Sequence, residues 1–318
     1  MKLNPTDDSL KLRKSTKGGL MNRENLVLLS MCTLPALLLF IFNYLPMFGL
    51  VLAFKDYKYN LGIFGSPWNG IDNFKFLINS GNLWRLVRNT VGLNLLFIAV
   101  NVITQVFVAL MLYEIVKKIK LKTYQTFMLL PHFISWVVVG YMVYALLDPS
   151  YGALNSILTK LGFNAINWYS EPKYWPAILL LTNVWKGVGY GCIVYYAALM
   201  GIDATYFEAA ELDGATRWQI RWNIIIPFLR SVIIITTILA IGRVMRADFG
   251  LFYQVTKDQG ALYPVTDVID TYIYRALKVD NNMSVSTAVG LFQSVINTAL
   301  VLITNAVVKK IEPESALF

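Results

Sequence analysis

Histidine and cysteine are nearly absent from this chain of 318 residues, which has one of the former and two of the latter. His132 alone cannot build a multi-histidine metal site, and Cys32 and Cys192 lie far apart inside apolar runs, so neither a zinc site nor a disulfide framework is predicted. Charged residues are also scarce, at 15% against about a quarter in ordinary soluble domains. Apolar residues make up 56% of the chain, more hydrocarbon than a compact soluble fold of this size can hide. The composition therefore excludes a disordered chain, a collagen-like repeat and a typical cytosolic enzyme.

A nucleotide-binding loop is missing as well. The pattern Gly-x-x-x-x-Gly-Lys-[Ser/Thr], whose backbone N–H groups cradle phosphates, does not occur, and neither does any Gly-Lys pair. No convergent group of titratable residues lies within the apolar runs, as a membrane enzyme would require. We therefore expect the chain itself to be no enzyme and to bind no cofactor or metal, and energy from ATP would have to come through another chain.

Long apolar runs are what the sequence has in abundance. A bilayer core about 30 Å thick requires roughly 20 apolar helical residues. Four runs are free of charge, and two more are interrupted only by Lys186 or by Arg230 and Arg243. We predict an all-α membrane protein with six transmembrane helices, at about 26–54, 89–115, 123–147, 174–200, 224–246 and 284–308.

Basic residues predict the orientation of these spans. Six Lys and Arg lie in the first 25 residues, four lysines lie in the loop 116–123, and Lys309 and Lys310 begin the tail. Cytoplasmic loops collect such residues, so both termini are expected inside the cell, and the net charge of +9 indicates membrane topology rather than nucleic-acid binding. The predicted organisation is a basic arm over 1–25 lying against anionic lipid, a transmembrane domain over 26–308 and a cytoplasmic tail over 309–318.

The loop between the fourth and fifth spans, 201–223, carries the most information. Its sequence favours a helix over 204–212, a turn at Asp213–Gly214 and a second short helix over 215–222. Pro227 follows near the start of the fifth span, where a missing N–H costs little. Such a helical hairpin is either a knob that enters a cleft on another protein or a plain amphipathic loop on the membrane surface.

The same loop contains a spaced motif. Glu208-Ala209-Ala210 is followed after three residues by Gly214 and after nine more by Ile224-x-Ile226-Pro227. This pattern resembles the EAA loop of the permeases of binding-protein-dependent ABC importers, with Ile226 in place of the usual leucine. The stretches Trp185-Lys186-Gly187-Val188-Gly189 and Leu130-Pro131 resemble the carbohydrate permeases of that family. Asp267-Val-Ile-Asp-Thr-Tyr-Ile-Tyr-Arg275 is similar to the branch that imports oligosaccharides or polysaccharide fragments.

The resemblance implies a type I importer permease fold in the bacterial cytoplasmic membrane. The chain would form half of a carbohydrate translocation path, with a related second six-helix permease chain, two cytoplasmic ABC ATPase subunits that bind ATP and Mg, and an extracellular solute-binding lipoprotein. The residues implied in ATPase coupling are Glu208, Ala209, Ala210, Asp213, Gly214 and Pro227.

Polar and aromatic residues within the spans are candidates for contact with the sugar. Lys186 either lines the path or holds two helices together, since a cation exposed to lipid is costly. Arg243 and Arg246 either extend to the interface or bind an acidic oligosaccharide at the outer mouth. The full set of candidates is Lys186, Trp185, Tyr190, Asn183, Tyr141, Arg243 and Arg246.

Two alternatives remain open at the level of the sequence. The EAA motif by itself is compatible with an ABC permease for a solute other than a sugar. A secondary transporter driven by an ion gradient would commonly place an acidic residue at mid-membrane, and no Asp or Glu lies in the middle of a span; Glu114 is near the inner end of the second.

Overall fold

The computed structural model describes residues 23–311, so most of the predicted basic arm and tail, 1–22 and 312–318, lies outside the described residues. The longer helices in chain order are α1 Arg23–Leu39, α2 Asp72–Asn79, α3 Asn82–Tyr113, α4 Lys118–Phe133, α5 Trp136–Leu147, α6 Ala153–Lys160, α7 Trp175–Met200, α8 Ala204–Leu212, α9 Arg217–Ile241, α10 Ile269–Lys278 and α11 Met283–Ile311.

The first helix belongs to a unit that ends at Val51, and a second unit begins at Leu52. α1 continues through a π-helical turn, Phe40–Tyr44, into a 3-10 helix, Leu45–Phe54. Pro35 and Pro46 lie within these helices. Changes of helical pitch are usual where proline removes a hydrogen bond from the ladder.

Five helical stretches among residues 23–311 are long and apolar enough to cross a membrane, and the bent pair α4–α5 makes a sixth if it is counted as one span. Several helices extend beyond the uncharged runs that predict them, because a helix does not end where it leaves hydrocarbon. α3 begins at Asn82 rather than at 89, and α9 begins at Arg217 rather than at 224. The third span is not straight: α4 and α5 meet at 94°.

The helices α3 and α7 pack along each other and carry two clusters of buried side chains. The cluster nearer the start of α3 joins α5 and the segment 247–268 to this pair, through Leu93, Phe97, Val139, Trp175, Leu179, Leu251, Phe252 and Val255. The cluster nearer its end joins α9 to the same pair, through Val106, Ala109, Leu112, Cys192, Tyr195, Leu199, Ile220, Ile225 and Leu229. The fifth span is thereby held along the pair at its Arg217 end.

The chain after α9 stays inside the bundle. The Asn94 amide nitrogen donates to the carbonyls of Val244 (2.7 Å) and Arg246 (3.2 Å), and the Gln293 amide donates to the carbonyl of Met245 at 2.7 Å. Asn94 and Gln293 lie well within α3 and α11, some 15 to 18 Å from the helix starts at about 1.5 Å per residue. The structure therefore differs from the predicted span 224–246: the helix ends at Ile241, and the next residues are embedded between helices.

A network of ion pairs organises the segment between α9 and α11. Asp267 has a fully buried carboxylate that accepts hydrogen bonds from Arg85 (3.0 Å) and Arg275. Arg275 also donates to Asp258 at 2.7 Å, and Arg88 donates to the carbonyl of Pro264 at 2.7 Å. A buried carboxylate is tolerated when it is paired in this way. The cations that precede the second span thus have a structural role in ordering this segment.

Candidate functional site

The first helix of the hairpin over 201–223 is closed at both ends by local hydrogen bonds. At its start, the Asp203 carboxylate accepts from the N–H of Thr205 at 3.0 Å, and this bond lowers the pKa of Asp203. At its end, the N–H of Gly214 donates to the carbonyl of Glu211 and the N–H of Ala215 donates to that of Ala210, the pair of bonds of a Schellman motif. Gly214 has φ +76°, a left-handed conformation that favours glycine.

The second arm of the hairpin is the beginning of the fifth span. Thr216 and Gln219 form a capping box at its start. The helix then runs through a π-helical turn at Arg221–Ile225 into the membrane-spanning part that contains Pro227. We predicted a separate short helix over 215–222, but the structure shows one continuous helix. A π turn directly precedes Pro227, which has no N–H to donate to the helical ladder.

Side chains on one side of the hairpin attach it to the bundle. Phe207 packs against Tyr113 with ring centroids 6.0 Å apart, and Tyr206 meets the ring of Phe228 edge-on at 5.3 Å. Arg221 forms an ion pair with Glu114 at the end of α3. Glu114, which sequence reasoning placed at the end of a span without a role, therefore connects α3 to the fifth span.

The opposite side of the hairpin is uncovered. Glu208, Ala209 and Asp213 are exposed, and the Leu212 side chain at the tip is 89% exposed. This exposed apolar side chain lies beside acidic groups and a slim alanine face. The hairpin is thus fixed on one side and open on the other.

The break in the third span is filled by the side chain of Lys186. Its ammonium donates to the carbonyls of Pro131 (3.1 Å), His132 (2.8 Å) and Ile134 (2.5 Å), and the residue is 9% exposed. The last carbonyls of a helix have no intrahelical partner and carry partial negative charge, so a lysine is a suitable cap. Of the two roles considered for Lys186, this geometry describes the contact that holds two helices together.

The other predicted path residues on α5 and α7 do not meet at one point. Asn183 accepts a hydrogen bond from Asn101 at 2.7 Å, so it joins α7 to α3. Tyr190 is stacked on the ring of His132 at 4.5 Å and is 58% exposed, and Trp185 is 41% exposed. Tyr141 is 64% exposed. Substrate contact stays a prediction for all four candidates.

Arg243 and Arg246 lie in the segment after α9, whose backbone is embedded between helices, but both side chains are exposed. The next residues form a wall alongside α5: Asp248 accepts from the Trp136 indole N–H at 2.9 Å, and the Lys257 ammonium lies 3.7 Å from the centre of the Tyr141 ring. We call α5 together with residues 246–257 the polar wall, after these two polar contacts between them. Sequence reasoning missed Lys257, because nothing local to it showed that the chain returns to α5.

The family is decided by comparison with known proteins. A family model described as "Binding-protein-dependent transport system inner membrane component" matches residues 101–313, which include the hairpin, the broken span and the polar wall. The chain belongs to this family. It is a multi-pass permease of the cytoplasmic membrane, and its fold is that of a type I ABC importer permease.

Three relatives show how far the similarity extends. Protein LplB of Bacillus subtilis (strain 168) is 36% identical to the permease over 88% of both chains. The polygalacturonan/rhamnogalacturonan transport system permease protein YteP of the same organism is 34% identical over 88% of this chain and 87% of its own. Both relatives match over nearly the whole described bundle.

The third relative is a bacterial ABC transporter involved in the import of the acidic polysaccharide alginate. Its crystal structure superimposes with a TM-score of 0.83 at 32% identity, covering 91% of this permease and 97% of that chain. A second crystal structure, of the bacterial alginate transporter with a periplasmic protein bound to alginate pentasaccharide, superimposes with a TM-score of 0.80 at 33% identity over 91% and 96%. Family and fold together do not favour the ion-gradient transporter considered above.

Proposed function

We propose that this permease is the transmembrane subunit of an ATP-driven importer of oligosaccharides or polysaccharide fragments. It forms half of the translocation path together with a second, related permease chain. A solute-binding lipoprotein outside the cell delivers the sugar, and two cytoplasmic ATPase subunits bind ATP and Mg and hydrolyse ATP. This chain binds no cofactor.

The observation that carries the coupling role is the continuity of the hairpin with the fifth span. An ATPase that moves α8 also moves the start of α9, because the Schellman turn at Gly214 and the capping box at Thr216 leave no loose residue between them. α9 then extends without a break to Ile241, next to the polar wall. Closure of the two ATPases would therefore tilt the fifth span as a rigid body.

The exposed face of the hairpin supports an ATPase as its partner. Glu208 offers an anion, Ala209 permits close approach, and Leu212 offers an apolar contact. Charges across an interface are complementary, so an anion on this face suits a basic group on the partner. We infer that this face lies in the cytoplasm, and with six spans both termini would lie there as well.

The carbohydrate cargo is supported by the relatives. YteP is a permease for polygalacturonan and rhamnogalacturonan, and the structural relative imports alginate. All three reported relatives match this chain over more than four fifths of its length, so the similarity includes the polar wall and not the coupling hairpin alone.

A reconstituted complex of both permeases, the ATPases and the binding protein tests the coupling. We expect Glu208→Gln to reduce sugar-stimulated ATP hydrolysis about ten- to a hundredfold, the range for one charge-assisted hydrogen bond, while the chain still inserts. Glu171→Gln, at the other end of the bundle, is the matched control. Normal stimulation in Glu208→Gln would contradict the proposed docking face.

A further inference from the structure

The polar wall contains a cation without a partner of opposite charge. Five cations of the described residues lie over aromatic rings. Four of these cations also contact an oxygen atom. Their partners are the carbonyls of Ile63 and Phe64 for Lys55, Glu171 for Lys173, the carbonyls at the helix break for Lys186, and Asp258 and Asp267 for Arg275. Lys257 has the ring of Tyr141, and none of the ion pairs among residues 23–311 includes it.

The backbone holds Lys257 in this position. Lys257 and Asp258 have φ values of +54° and +49°, two consecutive left-handed residues that are neither glycine nor asparagine. This strained turn separates the two side chains. Asp258 faces the interior and accepts hydrogen bonds from Arg275 at 2.7 Å and from the Tyr263 hydroxyl at 3.3 Å. The neighbouring carboxylate is therefore occupied, and strain of this kind occurs at functional sites.

Tyr141 offers a surface beside that ammonium. Its side chain remains 64% exposed although the Lys257 ammonium lies 3.7 Å from the ring centre. The wall is closely packed next to it. Trp136 lies directly against Gly250, where a side chain would collide with the indole, and its N–H donates to Asp248. Burial lowers the pKa of Lys257, so an anion bound there would relieve the cost of keeping this group charged.

We propose that Tyr141 and Lys257 form a subsite for an acidic sugar unit, in which the ammonium pairs with the sugar carboxylate and the exposed tyrosine contacts the pyranose ring. Aromatic surface next to a charged donor is the combination that recognises such a unit, since the ring contacts C–H groups and the cation selects the carboxylate. This inference rests on the proposed carbohydrate function and specifies the class of sugar. A carboxylate from the second permease chain is the competing occupant.

The test is ATP-dependent uptake by the reconstituted complex of two probes. One is a mixture of short galacturonate and mannuronate oligosaccharides, and the other is the same mixture with its carboxylates reduced to hydroxymethyl groups. We expect the wild type to prefer the acidic probe and Lys257→Met to lower acidic uptake about ten- to a hundredfold, the range for one charge-assisted hydrogen bond, with neutral uptake changed less than about twofold. Lys257→Arg should keep the preference.

The matched control is Lys173→Met, which also removes a cation from a tyrosine ring, but one that has a carboxylate partner. It should leave both uptakes unchanged. Equal loss of both probes in Lys257→Met, or loss of complex assembly, would assign Lys257 to a subunit interface and overturn the subsite. Unchanged preference in Lys257→Met would overturn the subsite. A wild type that imports neither probe would overturn the acidic class of cargo and the subsite with it, and would leave import of another oligosaccharide standing.

Discussion

The left-handed turn at Gly214 permits a direct test of mechanical coupling. The residue has φ +76°, and a Cβ added there would meet nothing within 4 Å, so substitution acts through backbone conformation and not through a clash. Placing an L-residue in this conformation costs about 1 to 2 kcal/mol, a factor of about 5 to 30 between conformations. Gly214→Ala should therefore weaken the Schellman turn, and Gly214→Val should do so more strongly because it is β-branched.

Two quantities are measured in the reconstituted complex. One is the stimulation of ATP hydrolysis by the sugar-loaded binding protein, and the other is the amount of sugar taken up per ATP hydrolysed. We expect both to fall by about 5- to 30-fold in Gly214→Val, while basal hydrolysis and membrane insertion persist. Gly201→Ala is the matched control, because Gly201 flanks the same hairpin with φ −85° and tolerates a Cβ. Full stimulation in Gly214→Val would refute a stiff coupling turn.

Two further predictions concern the helix ends. Lys186→Met should lower the melting temperature of the complex by about 2 to 5 °C, because three carbonyls lose their donor. Lys186→Arg should lower it less, and the exposed Lys160→Met should not lower it at all. An unchanged melting temperature in Lys186→Met would show that the cap is not needed. Asp203 has a lowered pKa because it accepts from Thr205, so its contribution to stability should be complete above the ordinary pKa near 3.8 and be lost as pH falls through the lower folded value. Asp203→Asn should remove that pH dependence from thermal unfolding curves, and an identical dependence in both proteins would contradict the assignment.

The hairpin was predictable from sequence because its determinants are local. α8 occupies the residues predicted for the first helix, and the turn lies at the predicted Gly214. Each of these features depends on residues within one or two helical turns. The continuity of the second arm with the fifth span was not predicted. A proline at 227 is equally compatible with the first turn of a new helix and with a position just after a π turn inside a longer helix.

The substrate path was less predictable, because a candidate residue qualifies only if its side chain faces the path and not a neighbouring helix. Lys186 and Asn183 are partnered within the bundle, whereas Tyr141 is exposed beside Lys257. A polar residue in an apolar run has the same sequence signature in either position. The hydrogen bonds of Asn101 and Asn94 likewise belong to helix contacts that only packing reveals.

By itself, the sequence determined the class of protein, the apolar segments and the motif of the hairpin, because hydrocarbon runs and spaced motifs are properties of contiguous residues. Only the tertiary structure decided the 94° break in the third span, the embedded segment after α9 and the partner of each buried charge. Lys186 and Ile134 are 52 residues apart, and Arg85 and Asp267 are 182 apart. Such pairs follow from the way the helices pack, because a buried charge pairs with whichever donor or acceptor the fold brings within reach.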